Sequence, residues 1–297
     1  MFDRSALTVL LLAGCNQIYG LDDTKLRPLE AGVGVDLDLD GIPDDFDACL
    51  APMRDADDDL DVDMILAAND PCPFDADSSG DTDGDKLHDV CDPFPTTLGD
   101  RQRCYMSFGS TDLNTRLWKA RETTNDWSSR EGELYSKTVG TISGLVSTID
   151  LAPGVQTTLD AIVTLNNGAT LGPYAFRLWA RAADTFDNKE LGCELSGDAM
   201  SIRIAVVRGN DMDVSGGSTT AFLTFPKSMP VRIRMTQASS GTGMDVRCVF
   251  SWDTIEGRVK AHIAEMPPGR VAFGTENLQT SISALAIYER DTIEPLP

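Results

Sequence analysis

The sequence predicts a mainly β chain: an irregular, aspartate-rich segment followed by an antiparallel β-sandwich of jelly-roll type. Three observations lead there. From Arg103 to Arg290, short runs alternate apolar and polar residues, the period-2 pattern of strands with one buried face. Clusters of Gly, Asn, Asp and Pro separate those runs, and no long stretch carries a helical period. Ahead of them, residues 36–100 hold 21 aspartates and no glutamate.

The strand runs are Ala161–Leu165, Ala175–Trp179, Ser201–Val207, Val231–Met235, Val246–Phe250, Val259–Ile263 and Ser283–Tyr288. Turns are expected at Asn166–Gly168, Gly209–Asp211, Ser239–Gly243 and Pro267–Gly269. Roughly a dozen strands in this stretch suit two packed sheets. At 297 residues and 41% hydrophobic content, the chain can bury a sizeable core.

Charge divides the chain. Residues 36–100 carry only Arg54 and Lys86 against their aspartates, a local charge of −19. Of the total −22, only −3 is left for everything else. An acidic segment of this kind repels itself and stays unfolded unless something neutralises it. The same balance argues against nucleic acid as a partner, because phosphate binding needs Lys and Arg.

At the N-terminus, Ala6–Leu12 is apolar but far short of the ~20 residues that cross a bilayer. Arg4 precedes it and Asp3 offsets Arg4. The following Leu12-Ala13-Gly14-Cys15 resembles the lipobox of bacterial lipoproteins. That resemblance implies export, cleavage before Cys15 and a lipid on Cys15 that anchors the chain to a membrane. Asn16, rather than Asp, stands next, which in that family leans toward the outer membrane or cell surface. Residues 1–15 are then signal and lipobox, and 16–35 a tether.

Seven cysteines become six once Cys15 is assigned to the lipid: Cys49, Cys72, Cys91, Cys104, Cys193 and Cys248. An even number suits disulfides in the oxidising compartment that export supplies. Cys193 and Cys248 lie in strand-like runs and are expected to staple neighbouring strands. Local proximity suggests Cys49–Cys72 and Cys91–Cys104. A zinc site would need CxxC or paired histidines, and His88 and His262 are the only histidines.

In the acidic segment, Asp36, Asp38, Asp40, Asp44 and Asp47 fall at positions 1, 3, 5, 9 and 12 of a loop with Gly41 at position 6. This is the ligand spacing of an EF-hand calcium loop, with Asp in place of the final Glu. Calcium is a hard cation that takes 6–8 oxygens at ~2.3–2.6 Å, and carboxylates on alternate residues of a tight loop can converge on one. Pro43 within the loop and the lack of flanking helices exclude an EF-hand. The pattern, closed by Cys49, resembles the thrombospondin type 3 repeat. A second match runs through Asp81, Asp83, Asp85, Asp89, Cys91 and Asp92, with Lys86 where that family has Gly. Asp75 and Asp77, with Asp81, form a candidate overlapping site. Asp57, Asp59, Asp61 and Asp63 alternate properly but lack a glycine, so the middle repeat reads as degenerate. The resemblance implies a chain with little regular structure wrapped around calcium ions, with disulfides linking successive repeats. Calcium-loaded, residues 36–100 are expected to form a stiff spacer.

Pro268-Gly269-Arg270-Val271-Ala272-Phe273-Gly274 and Ile282–Tyr288 resemble the closing strands of concanavalin A-like lectin and laminin G-like domains, and Trp127 fits their opening. This implies a lectin-like sandwich over residues 101–292 that binds a glycan or a cell-surface protein. Trp118, Trp127, Trp179 and Trp252 could stack on sugars, although core packing is their commoner role. Glu190, Glu194 and Asp198 are spaced by four and do not reproduce a glucanase motif. No nucleophile elbow and no phosphate-cradling glycine loop is present. The expectation is therefore a non-enzymatic, calcium-binding envelope lipoprotein. A glycoside hydrolase-like sandwich, with paired carboxylates, or a purely structural lipoprotein are the alternatives.

Overall fold

The computed structural model describes residues 59, 61–65, 70–76, 80–108, 117–121, 126–130, 133–137, 142–151, 155–168, 173–183, 190–198, 201–209, 212–221, 226–240, 243–264 and 269–290. Cys15, Asp36, Asp38, Asp40, Asp44, Asp47, Cys49, Asp57 and Asp77 lie outside them. The described residues form strands and turns, with no helix among them.

The strands, in order, are β1 (Asp100–Ser107), β2 (Trp118–Ala120), β3 (Trp127–Arg130), β4 (Glu133–Ser136), β5 (Ile142–Leu151), β6 (Gln156–Gly168), β7 (Tyr174–Ala182) and β8 (Leu191–Gly197). They continue as β9 (Ile202–Arg208), β10 (Met212–Ala221), β11 (Pro230–Ser240), β12 (Gly243–Trp252), β13 (Ile255–Ile263), β14 (Gly269–Glu276) and β15 (Leu278–Arg290). One sheet runs β13-β12-β11-β6-β15-β4-β3, with β1 also paired to β15. The other runs β10-β9-β8-β7-β14-β5-β2. All strand pairings are antiparallel. This is the expected two-sheet antiparallel sandwich. Six of the seven expected strand runs lie wholly inside observed strands, and the seventh overlaps β9. The turn expected at Asn166–Gly168 is a correction: β6 continues through it, because Gly168 pairs with Leu278.

Alternation builds the core. Along β12, Met244, Val246, Cys248, Phe250 and Trp252 are buried, and the residues between them are less so. They meet Phe176, Leu178, Cys193 and Leu195 of the other sheet in one large hydrophobic cluster. Burying each such side chain contributes roughly 1.5–3 kcal/mol. Gly257 permits a close approach, since a Cβ there would lie 2.1 Å from Cδ1 of Ile204 on β9. Cys193–Cys248 joins β8 to β12 with Cα atoms 5.7 Å apart. It therefore bolts the two sheets together across the core; the expectation of neighbouring strands was wrong, because both cysteines face inward. All four tryptophans are buried, Trp118, Trp127 and Trp252 in the main cluster and Trp179 in a smaller one, so core packing is their role here.

The end of the acidic segment packs against the outer face of the β1/β15 sheet. Cys72, Leu87 and Cys91 cluster with Ala286 and Tyr288 of β15, flanked by Phe74 and Tyr105. Asp75 binds Arg232 and Arg234 of β11, and both arginines also bind Asp160 of β6. Asp160 is fully buried. Residues 70–76 and 80–99 thus form a docked layer, where the sequence suggested a stiff spacer. The pattern of aspartates concealed this, because the docking residues Phe74, Asp75 and Leu87 carry no periodic signal.

Burial pushes the Asp160 carboxyl up, but Arg234 and Arg232 outweigh it and hold it below its ordinary 3.8. A depressed carboxylate contributes stability that is complete above the unfolded value and is lost as pH falls through the folded one. Asp160→Asn should therefore cost about 3–5 kcal/mol at neutral pH, the range for breaking a buried pair. The variant should also lose stability less steeply than the parent on acidification below about pH 4; chemical denaturation across pH checks both. Replacing Cys193 and Cys248 together by Ala should cost about 4 kcal/mol in the chain-entropy account of a 55-residue separation, read by the same method.

Candidate metal centre

The loop from Asp81 to Leu87 is folded by its own aspartates. Asp81 accepts the Gly84 N–H on Oδ1 at 2.7 Å and the Lys86 N–H on Oδ2 at 2.9 Å. Asp83 accepts from Asp85 N–H at 3.3 Å, and Asp85 from Leu87 N–H at 3.0 Å. These local turns are the reason aspartate, with its short arm, is used here. They need a left-handed backbone at two positions, supplied by Gly84 at φ 84° and Lys86 at φ 80°.

The same loop occurs 22 positions earlier. Asp59 accepts the N–H groups of Asp63 and Met64 at 3.1 and 2.9 Å, and Asp63 that of Ile65 at 2.8 Å. Val62 at φ 65° and Met64 at φ 77° stand where Gly84 and Lys86 stand later. The middle repeat, read as degenerate for want of a glycine, therefore folds as the same turn. Its aspartate hydrogen bonds offset the cost of placing a β-branched residue in the left-handed region.

Three carboxylate clusters result among the described residues. In each of Asp59/Asp61/Asp63, Asp81/Asp83/Asp85 and Asp85/Asp92/Asp100, ligand-capable atoms lie within 4.8 Å of one another. The third is the most informative. Asp92 and Asp100 are only 5% and 4% exposed. The Oδ2 atoms of Asp83, Asp92 and Asp100 are buried without a hydrogen-bond partner. Asp85 ties this group together, because its Oδ2 accepts the N–H groups of Gly99 and Asp100, at 3.2 and 2.7 Å. Burial is the main force raising the Asp92 carboxyl to about 6, with Asp85, Asp83 and Asp89 adding repulsion against the Phe94 N–H. Burial likewise raises Asp100 to about 7, opposed by Arg290. In the middle loop Asp61 is raised by burial and by Asp63.

Buried carboxylates with unused oxygens, crowded by further carboxylates, form an environment that a hard divalent cation satisfies. The donor set is all oxygen and lacks sulfur and imidazole, which suits calcium over zinc or copper. The residues present fit the ion that the resemblance implies. Asp85, Asp92 and Asp100 would hold one, and Asp81 and Asp83 with Asp85 an adjacent one. Bound there, calcium would supply neutralising charge and a cross-link.

The structure divides the other candidates. Asp75, expected beside Asp77 and Asp81, is taken by Arg232 and Arg234. Asp89 accepts the Thr82 N–H and hydroxyl at 2.8 and 2.6 Å, which lower its pKa. Asp100 was not foreseen: it opens a strand, outside any repeat spacing, and only the fold brings it to Asp92. Cys72 pairs with Cys91, with Cα atoms 5.4 Å apart. That overturns both Cys49–Cys72 and Cys91–Cys104, because docking on β15 stacks the two ends of the loop. Cys104 is disulfide-bonded to neither.

The carboxylates weighed for catalysis are engaged. Glu190 is buried against Arg121, and Glu194 binds Arg177 at 2.6 Å and Arg203 at 2.8 Å. Asp198 accepts the Ser201 N–H at 2.8 Å and shapes a turn.

No protein-family model and no curated protein sequence matches the chain. Among solved structures, the peanut lectin with a 9-mer peptide is similar at 9% identity and a TM-score of 0.48, over 62% of this chain and 96% of that one. The legume lectin-like domain from Entamoeba histolytica gives 10% and 0.45, over 61% and 95%. The carbohydrate binding module CBM66 from Bacillus subtilis gives 13% and 0.39, over 57% and 94%.

Replacing Asp100 by Asn should weaken any calcium binding at the Asp85/Asp92/Asp100 cluster by about tenfold or more, because the charge count of the ligands sets calcium affinity. Calorimetric titration of parent and variant reads the change.

Proposed function

We propose that the protein is a non-enzymatic, calcium-binding envelope protein whose acidic repeats are held on a lectin-like sandwich by the ions they bind. The observation that carries this is the Asp85/Asp92/Asp100 cluster, which joins the last repeat to the first strand of the sandwich and leaves buried carboxylate oxygens unpartnered. Calcium would act structurally, turning the mutual repulsion of the aspartates into an ordered, docked layer. The reading includes a lipid on Cys15 that anchors the chain at the outer membrane or cell surface, in keeping with the disulfides Cys72–Cys91 and Cys193–Cys248. It assigns to the sandwich the binding of a glycan or a cell-surface protein, as in adhesion.

The test is calcium titration into residues 16–297, made without Cys15, by calorimetry with thermal melts alongside. Several ions bound, with a melting temperature that rises with calcium, is the expected outcome. No binding at millimolar calcium would sink the proposal.

A further inference from the structure

The outer face of the eight-stranded sheet carries a second feature beside the docked repeat. There β11, β12 and β13, with Asp92 and Pro93 on one rim, enclose a cleft of about 590 Å³. That is the size range of sites for small organic ligands. Register fixes its floor. Thr236, Arg247 and Lys260 lie side by side across the three strands, then Arg234, Val249 and Arg258, then Arg232, Ser251 and Glu256. Neighbours across strands are about 4.8 Å apart, and successive rows about 7 Å.

Five of the chain's 25 Lys and Arg line this one cleft, in a protein of net charge −22. They differ in availability. Arg232 and Arg234 are committed to Asp75 and Asp160. Among the described residues Arg258 and Lys260 pair only with Glu256 and Asp245, in solvent-exposed contacts that hold their cations weakly. Arg247 is exposed, and its side chain has no partner among the described residues. Three cations are thus free, or readily freed, on adjacent strands.

The rest of the lining narrows the ligand. No aromatic side chain is present among the lining residues. That removes both the stacking platform used for single-stranded nucleic acid and the aromatic face used for neutral sugars. The cleft instead mixes guanidinium and ammonium groups with Thr236, Ser251 and two carboxylates, Asp92 and Glu256. Glu256, the carboxylate not engaged by the acidic cluster, can only accept hydrogen bonds and would repel a continuous phosphate backbone. A molecule that satisfies both halves carries anionic groups and hydroxyl donors together. We propose that this cleft binds an acidic saccharide, with its carboxylate or sulfate groups on Arg247, Arg258 and Lys260 and its hydroxyls on Thr236, Ser251 and Glu256. The proposal rests on the reading of the sandwich as a glycan-binding domain and names the ligand class and the face used.

The experiment is calorimetry on the chain from residue 16 with calcium present, using a heparin-derived hexasaccharide and an oligogalacturonate of the same length. Cellohexaose and a ten-residue oligothymidylate are the comparison ligands. The variant is Arg247→Gln with Arg258→Gln, both exposed, with its melting temperature measured to confirm folding. The expected result is binding of at least one acidic oligosaccharide, weakened about tenfold or more in the variant and by added salt, the loss that goes with charge-assisted hydrogen bonds. Cellohexaose and oligothymidylate should not compete. Equal binding of the oligothymidylate would overturn the saccharide assignment. Saccharide binding that survives the double substitution would overturn the cleft while leaving the sandwich a glycan-binding domain. Failure of every saccharide, acidic and neutral, would overturn both.

Discussion

Asp160 is the constraint on which the rest of the structure depends. It is a carboxylate on the outer face of the central strand β6, yet it has no contact with solvent. A buried charge is tolerated only when paired and hydrogen-bonded. Arg232 and Arg234 of β11 supply the pairing, reaching it at 2.7–2.9 Å. Two guanidiniums against one carboxylate leave a positive charge over, and Asp75 of the acidic segment cancels it. The charge around Asp160 is therefore balanced only with the repeat docked on it.

Docking then places everything else. It buries Tyr288 beneath Cys72, Leu87 and Cys91, and burial pushes the Tyr288 phenol far up. Phe74 packs beside Tyr105 and under the Arg232 guanidinium, 5.5 Å from its ring centre. Phe94 is placed 5.2 Å from the Arg290 guanidinium, which donates to the Thr97 carbonyl. With both flanks of the repeat held, Asp92 is carried to Asp100, and the carboxylate cluster closes between the repeat and β1. The same residue, Asp92, and its neighbour Pro93 form a rim of the cationic cleft. The acidic and basic features of this face thus share one boundary.

Much of this was legible in the chain. Alternation along Val246–Phe250 or Val231–Met235 marks a strand with one buried face, because side chains on a strand repeat every two residues. The aspartate spacing marked the loops for a similar reason: hydrogen bonds from N–H groups two to five residues away are local and travel with the sequence. Even so, glycine proved a poor guide. Val62 and Met64 adopt the turn that Gly84 and Lys86 adopt later, because the aspartate bonds set the backbone and the residue between them follows.

The sequence by itself determined an antiparallel β domain, an acidic segment of repeated aspartate turns and the supply of cysteines, since each follows from local periodicity, local hydrogen bonding or composition. Only the tertiary structure decided that Cys72 meets Cys91, that Cys193 meets Cys248 across two sheets, that Asp100 completes a carboxylate cluster, and that Asp75 answers arginines instead of joining one. Those outcomes depend on which faces pack together, and the packing of faces is a long-range balance of buried area and charge that no spacing along the chain encodes.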